Sequence, residues 1–183
     1  MARRPSPGRC KSRLAAAIGA SAAARVQQRL LWHTQAEAER WMQQRGGTWA
    51  LALGEQQGSG GLGQRLQRLM GRELRHGGAQ IVVVGSDLPG LSADDLQQAF
   101  AALEHQPLVV GPAADGGYWL IGLTAAAFAH QRGRLFSGIP WGGDQVLACT
   151  LSRAAELALA PVLLRQQHDL DRLGDLEPWC GEA

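Results

Sequence analysis

The order of apolar and polar residues along the chain predicts helices that alternate with short strands. Apolar residues recur at helical spacing over 22–45, and again from Leu62 to near Gly77. Further helices are predicted to begin at Ser92, with Asp95 as its capping-box partner, and at Thr124. Two more are predicted at 145–159 and 173–179. Short apolar runs, typical of strands, lie at 48–53, 80–84, 108–110, 118–123 and 162–164.

The strand at 80–84 carries the clearest signal for the architecture. Its apolar run from Ile81 to Val84 is unbroken, which is typical of a strand buried on both faces. Strands that alternate with helices favour a mainly parallel sheet with helices on both sides. The length of 183 residues suits one domain with one substantial core. We therefore expect a single three-layer α/β domain over 1–183.

Composition narrows the possible functions only a little. The net charge of +2 gives no indication of nucleic-acid binding. No apolar run approaches the roughly 20 residues needed to cross a bilayer, and the basic residues near the start precede no apolar stretch. Cys10, Cys149 and Cys180 are far apart and lack metal-ligand spacing, so free thiols are expected. Together these features favour a cytoplasmic protein that binds neither membranes nor nucleic acid.

The first segment that could carry chemistry is basic and lies near the start of the chain. Arg9, Lys11 and Arg13 occupy alternate positions after a turn at Pro7-Gly8. Arginine offers a planar fork to phosphate oxygens and lysine a point charge, so these residues could clamp a phosphate. A solvated basic tail explains the same charges without any ligand.

Two further segments place an acid directly after a strand. Asp87 follows the strand at 80–84, and Asp115 follows the strand at 108–110 in Asp115-Gly116-Gly117. Ligands of open α/β sheets bind outside the carboxyl ends of the strands, and magnesium prefers oxygen ligands there. Asp87 could equally be a turn residue, and Asp-Gly is common in hairpins that have no chemistry.

Two other patterns remain open to a structural explanation. The acids Asp169, Asp171 and Asp175 could share a cation, or could be helix N-terminal acids that the macrodipole stabilises. The loop 58–63 matches G-x-G-x-x-G, which is typical of dinucleotide-binding folds. However, its preceding strand ends too early, and Asp87 runs into Leu88-Pro89 instead of a crossover helix. We therefore do not expect NAD or FAD to bind there.

The segments together are more specific than any one alone. The chain contains, in order, P-x-P-G-x-x-K-S-R-L at 5–14, L-G-x-R at 62–65, G-x-D-x-P at 85–89, G-P-x-x-D-G-G-Y-x-L-I-G-L at 111–123, I-P-W-G at 139–142 and D-x-D at 169–171. This order resembles a family of short bacterial proteins with a glycosyltransferase-A-like fold, distantly similar to 2-phospho-L-lactate guanylyltransferase and the molybdenum-cofactor guanylyltransferases.

The resemblance implies the fold of a nucleotide-diphospho-sugar transferase and a metal-dependent transfer reaction. The substrates would be a nucleotide-sugar or a nucleoside triphosphate and a small-molecule acceptor, with Mg2+ or Mn2+ as cofactor. Glycosyl transfer is the expected reaction, and nucleotidyl transfer or nucleotide binding without turnover are the alternatives. The implied site residues comprise catalytic Asp87 and Asp115, phosphate-binding Gly8, Arg9, Lys11 and Arg13, cleft residues Tyr118, Trp141 and Asp144, and metal ligands Asp87 and Asp171.

The chain departs from the pattern in two places. The sequence around Asp87 supplies one acid where glycosyltransferase-A-like sites commonly have Asp-x-Asp. The apolar strand that precedes the P-x-P-G loop in the family is missing before Pro5. We therefore expect the domain to lack its first strand, unless an upstream segment or a second subunit supplies it. The oligomeric state does not follow from the sequence.

Overall fold

A computed structural model describes residues 1–179, and it contains one sheet of four strands. The strands are β1 (Gln80–Val84), β2 (Leu108–Pro112), β3 (Tyr118–Thr124) and β4 (Pro161–Leu163), and their order in the sheet is β1-β3-β2-β4. β3 pairs antiparallel with both β1 and β2, and β4 pairs parallel with β2. The predicted single α/β domain is confirmed, and its sheet is mixed because β3 runs against the other three strands.

The direction of β3 has a local cause in the connection from β2. Asp115 accepts a hydrogen bond from the Gly117 amide (2.9 Å), and Gly116 has φ +86°, a value that favours glycine. This turn folds β3 back beside β2 as a hairpin. The hairpin interpretation of the Asp-Gly pair is therefore correct.

Helices cover both faces of the sheet. They are α1 (Ser12–Ile18), α2 (Ala20–Arg45), α3 (Leu62–Leu74), α4 (Ala93–Leu103), α5 (Ala125–Gln131) and α6 (Val146–Glu156), with 3₁₀ turns at Gly54–Gln57, Arg134–Phe136 and Leu173–Trp179. On one face α3, α5 and α6 pack against Leu108, Val110 and Ile121. On the other face α2 and α4 pack against Val109 and Leu120. The predicted three layers are therefore present.

Most of the predicted elements are found, with two exceptions. α1 was not predicted, because its seven residues from Ser12 to Ile18 make fewer than two turns and are too short to show a helical period. The predicted strand at 48–53 is wrong, since only Leu53 forms a β-bridge there, parallel to Ala2. A strand needs partners along its length, and among the described residues the segment 48–52 has one backbone partner, the Ala2 amide, which donates to the carbonyl of Ala52 (3.0 Å).

Other predictions concern single residues and membrane crossing. Ser92 and Asp95 form the predicted capping box at the start of α4, with the Ser92 amide donating to the Asp95 carboxylate at 2.9 Å. Cys10 and Cys149 are free thiols, and Cys180 lies outside the described residues. Among residues 1–179 the helices do not combine the length and apolar character needed to cross a membrane.

Candidate functional site

A polar cavity of about 580 Å³ lies beyond the carboxyl end of β1. It collects most of the charged residues that the sequence singles out. Its lining consists of Arg3, Lys11, Ser12, Arg13, Gln27, Asp87, Ala114, Asp115, His168, Asp169, Asp171, Arg172 and Asp175. The basic segment near the start of the chain, the two segments that carry Asp87 and Asp115, and the acidic segment 169–175 therefore all contribute to one site.

Backbone hydrogen bonds hold the loops around this cavity together. The Leu170 amide donates to the carbonyl of Asp87 (2.8 Å), which joins the loop after β1 to the loop after β4. The Ala114 amide donates to the carbonyl of Gln167 (2.9 Å), and the Gln167 amide donates to that of Pro112 (3.0 Å). These bonds bring the loops after β1, β2 and β4 to one edge of the sheet, where α/β proteins bind ligands.

Lys11 lies on the floor of the cavity and faces Asp87. Its side chain is buried, and its Nζ lies 2.8 Å from Oδ1 of Asp87 while donating a hydrogen bond to the carbonyl of Leu170. Oδ1 of Asp87 is buried and makes no aligned hydrogen bond within the described residues, whereas 44% of the Asp87 side chain is exposed. The pair is therefore an ion pair, and Oδ2 is the carboxylate oxygen left for a ligand in the cavity.

Arg13 pairs with Asp171 nearer to the mouth of the cavity. Its Nη1 donates to Oδ2 of Asp171 at 2.8 Å, and 64% of the Arg13 side chain and 39% of the Asp171 side chain are exposed. Asp175 accepts hydrogen bonds from the amides of Asp171 (2.8 Å) and Arg172 (2.7 Å), so it caps the turn that carries them. In this segment the carboxylate of Asp175 thus stabilises the loop, and the carboxylate of Asp171 pairs with Arg13.

Asp169 is the acid that the sequence underestimated. The pKa of its carboxyl group is raised to about 7, mainly by burial and further by the neighbouring carboxylates of Asp115, Asp87 and Asp171, while Lys11 acts in the opposite direction. A carboxylate held partly buried among like charges is a feature of functional sites. The D-x-D pattern at 169–171 contained this signal, but the residues that surround Asp169 come from distant segments.

Gln27 is a second residue that the sequence did not indicate. It lies on α2 and is buried, and its Nε2 donates to Oγ of Ser86 at 3.3 Å, directly beside Asp87. The amide also lines the cavity. Its position inside an amphipathic helix gave no sign of this, because a polar residue at a core-facing position has meaning only when its neighbours are known.

Five of the predicted site residues are not among those that line the cavity. Gly8 belongs to a turn with φ +74°, and Arg9 beside it is exposed. Tyr118 is partly buried against the edge of the Trp141 ring, with ring centroids 6.2 Å apart. The backbone of Asp144 packs against Gly116, where an added Cβ would lie 2.0 Å from the Asp144 carbonyl oxygen. Their roles in binding stay predictions.

Close packing accounts for two of the sequence motifs that suggested chemistry. An added Cβ at Gly63 would lie 2.5 Å from the carbonyl oxygen of Phe136 and 2.9 Å from the ring of Trp141. The L-G-x-R and I-P-W-G motifs therefore meet at a contact between α3 and the loop that holds Trp141. Arg65 and Arg68 donate to carbonyls of the glycine-rich loop, at Gly60 (2.9 Å) and Ser59 (3.0 Å), so this loop is held by the helix that follows it.

The carboxylates of the cavity are of the type that could bind a divalent cation together with a substrate. Asp87 offers an oxygen that faces the cavity, and Asp169 and Asp171 lie on the opposite loop. Within residues 1–179 there is no group of three or more His, Cys, Asp or Glu arranged to hold a metal by itself. Magnesium commonly takes one or two carboxylates and completes its shell with phosphate oxygens and water. The few carboxylates in the cavity match that arrangement, and they do not match a site in which protein side chains supply all the ligands.

The mixed sheet, its two helical layers and the cavity at the carboxyl ends of β1, β2 and β4 define a glycosyltransferase-A-like α/β protein. The chain belongs to DUF2064, a family described as uncharacterized and conserved in bacteria, which it matches over residues 17–143. The chain is also similar to the crystal structure of a candidate nucleotide-diphospho-sugar transferase from Desulfovibrio desulfuricans G20. The TM-score is 0.81 at 26% identity, with 95% of this chain and 81% of that chain covered. No curated protein matches the chain.

Proposed function

We propose that this protein is a transferase that binds a nucleotide-diphospho-sugar in the polar cavity and transfers the sugar to a small-molecule acceptor. One observation carries the proposal. The carboxylates of Asp87, Asp115, Asp169 and Asp171 and the cations of Lys11 and Arg13 line one cavity at the carboxyl edge of the sheet. The similarity to the D. desulfuricans protein supports the substrate class.

The arginines and the lysine of the cavity would have different roles when a diphosphate binds. Arg13 has an exposed guanidinium, and Arg3 and Arg172 line the same cavity, so these three can reach substrate phosphates. Lys11 is buried with its ammonium already against Asp87 and Leu170, so it has less freedom to follow a ligand. We assign Lys11 to holding Asp87 in place and to offsetting negative charge on the floor of the cavity.

The acids have complementary roles on the two sides of the cavity. Asp87 and Asp169 would hold magnesium, with Asp171 as a further ligand when Arg13 turns to a phosphate. When bound, the cation would offset the negative charge of the diphosphate and of the leaving nucleotide. Asp115, on the loop after β2, would orient the acceptor. The five acids and four cations of the lining leave the cavity close to neutral before a diphosphate arrives.

The function is tested by incubating the chain with a panel of nucleotide-diphospho-sugars and, separately, nucleoside triphosphates, with magnesium and candidate acceptors. Sugar transfer breaks the bond between the anomeric carbon and the diphosphate oxygen, joins that carbon to the acceptor oxygen and releases a nucleoside diphosphate. Nucleotidyl transfer would instead release pyrophosphate from a triphosphate. The two reactions therefore differ in a product that chromatography resolves.

The matched variants for this assay are Asp87→Asn and Asp94→Asn. Asp94 is an exposed acid on α4 and does not line the cavity, so its substitution should leave turnover unchanged. Asp87→Asn should remove turnover. Pyrophosphate release would contradict sugar transfer in favour of nucleotidyl transfer. Tight binding without any product would favour a binding protein.

A further inference from the structure

Asp95 is a buried acid that lies outside the polar cavity and joins two distant segments of the chain. It is in the first turn of α4, and only 2% of the residue is exposed. Its capping box with Ser92 accounts for part of its contacts. Its other partners, Arg165 and Gln167, come from the loop after β4. Asp95 therefore links the start of α4 to a loop 70 residues away along the chain.

Both oxygens of the Asp95 carboxylate accept hydrogen bonds. Nε of Arg165 donates to Oδ1 (2.6 Å) and Nη2 donates to Oδ2 (2.7 Å), a bidentate pairing that fixes orientation as well as distance. Oδ2 also accepts from Nε2 of Gln167 (3.3 Å), and from the amide and the hydroxyl of Ser92 (2.9 Å each). Burial by itself would raise the pKa of Asp95, but the hydrogen bonds from Arg165 and Ser92 outweigh it and hold the pKa below its ordinary value.

Arg165 and Gln167 are in turn bound to the sheet and to the loop that follows β1. Nη2 of Arg165 donates to the carbonyl of Gly90 (2.8 Å), in the loop between Asp87 and α4. The carbonyl of Arg165 accepts from the indole of Trp119 on β3 (3.2 Å). The main chain of Gln167 pairs with the loop after β2, as described above. The contacts of Asp95 thus reach every loop that borders the polar cavity at the carboxyl ends of β1, β2 and β4.

The loops that carry Asp87 and Asp169 are both tied to this cluster. Asp87 lies eight residues before Asp95, and Asp169 lies two residues after Gln167. The two loops are also joined directly, since the Leu170 amide donates to the carbonyl of Asp87 (2.8 Å). A shift of the cluster would therefore change the separation of Asp87 and Asp169.

We propose that Asp95 is a positioning residue for the candidate site, because it holds the loop that carries Asp169 against the loop that carries Asp87. Loss of its pairing with Arg165 leaves both loops folded and lets their separation vary. Magnesium demands near-ideal octahedral geometry with short bonds to oxygen, so two acids can share it only when their separation is fixed. This last step rests on the function proposed above, whereas the effect of Asp95 on the two loops does not.

The proposal is tested with Asp95→Asn and Arg165→Gln, and with Glu37→Gln as the matched control. Glu37 is a second buried acid at the start of α4, where it accepts from the Ala93 amide (2.8 Å). Its hydrogen bonds within residues 1–179 go to Ala93 and Arg40, and not to the loop after β4. Arg165→Gln keeps the capping box of α4 and changes a side chain that is 53% exposed, so it should fold even if Asp95→Asn does not.

Amide hydrogen exchange reports on the two loops without any ligand. The Leu170 amide is compared with the Ile121 amide in the central strand β3, which exchanges through global unfolding. Asp95→Asn and Arg165→Gln should speed exchange at Leu170 at least tenfold relative to Ile121, and Glu37→Gln should leave that ratio unchanged. An unchanged ratio in all three variants, or the same increase in Glu37→Gln, would overturn the proposal.

Titration of inorganic pyrophosphate, with magnesium and with a chelator, extends the test to the proposed site. Asp95→Asn and Arg165→Gln should weaken binding at least tenfold in magnesium and leave it unchanged in the chelator, because the arginines of the cavity stay in place. A loss of folded protein would lower binding equally in both conditions, and that result would overturn the positioning role. If the natural sequence binds no pyrophosphate in either condition, the proposed function fails, and the exchange ratios alone decide the role of Asp95.

Discussion

The Nζ atom of Lys11 lies 2.8 Å from Oδ1 of Asp87 although the two residues come from opposite ends of the first half of the chain. Lys11 adopts a left-handed backbone conformation, with φ 49°, immediately before α1. This conformation is uncommon for lysine and directs its side chain into the floor of the polar cavity. Lys11 therefore belongs to the cavity floor and not to a solvated tail, whereas Arg9 of the same basic segment is exposed.

The different surroundings of the two cations lead to a first prediction. Lys11→Ala should lower the free energy of unfolding by about 2–4 kcal/mol, because it removes a buried stem and a charged hydrogen bond. Arg13→Ala should cost less than about 1 kcal/mol, since its ion pair with Asp171 is largely exposed. Denaturant unfolding of both variants measures this, and equal losses would contradict the assigned burial of Lys11.

Ligand binding should separate the same two variants in another way. Arg13→Ala should weaken binding of a nucleoside diphosphate at least tenfold and leave binding of the nucleoside unchanged, because only the diphosphate meets the guanidinium. Calorimetric titration of both ligands gives the comparison. An equal loss for nucleoside and diphosphate would mean that Arg13 does not contact phosphate.

Asp169 provides a prediction about pH. Its pKa is raised to about 7 in the fold, mainly by burial, whereas an ordinary aspartate has a pKa near 3.8. Between these values the folded state binds more protons than the unfolded state, so stability falls as pH rises from about 4 to 7. The upper limit of this loss is about 4 kcal/mol, at roughly 1.4 kcal/mol for each pKa unit.

The matched variant is Asp169→Asn, which cannot ionise. It should melt at a higher temperature than the natural sequence at pH 8, and the difference should vanish near pH 4. Magnesium added at pH 8 should stabilise the natural sequence more than the variant, because a cation offsets the same cluster of charges. A pH-independent difference between the two proteins would show that ionisation of Asp169 is not the cause.

The contact between Gly63 and Trp141 gives a prediction about packing. Gly63→Ala should destabilise the fold by about 1–3 kcal/mol, because the methyl group would overlap a backbone carbonyl that cannot move freely. Gly61→Ser is the matched control, since an added Cβ at Gly61 meets nothing within 4 Å and serine is a good N-cap for α3. Thermal melts compare them, and equal melting temperatures would remove the packing explanation of both motifs.

The sequence predicted those features that depend on local periodicity and on single strand ends. The apolar run 81–84 and the capping box at Ser92 each follow from neighbouring residues, and both are found. The position of Asp87 at the end of β1 also follows, since a strand that ends in an acid places it at the sheet edge. The contact made by Arg165 could not be predicted from the sequence. Arg165 binds the capping acid Asp95 through its Nε and Nη2 at 2.6 and 2.7 Å, but a contact across 70 residues leaves no periodic signal.

The direction of β3 and the absence of a regular strand at 48–53 among the described residues were harder to predict, for different reasons. An apolar run is the same in a parallel and an antiparallel strand, so only the turn at Asp115-Gly116 could have indicated the reversal. The segment 48–53 has the composition of a strand, yet a strand forms only where a neighbour completes its hydrogen bonds. For the same reason Gln27 was recognised as a site residue only when α2 was seen beside Asp87, and the burial of Asp169 only when the loop after β4 was seen there.

The central proposal is that Asp87 binds magnesium in a nucleotide-sugar site. Titration calorimetry tests it most directly. A panel of nucleotide-diphospho-sugars is titrated into the natural sequence, Asp87→Asn and Asp94→Asn, each with magnesium and with a chelator. The account predicts binding by the natural sequence and Asp94→Asn in magnesium, and a loss of at least tenfold in the chelator and in Asp87→Asn. Binding by Asp87→Asn with an unchanged magnesium requirement would contradict it.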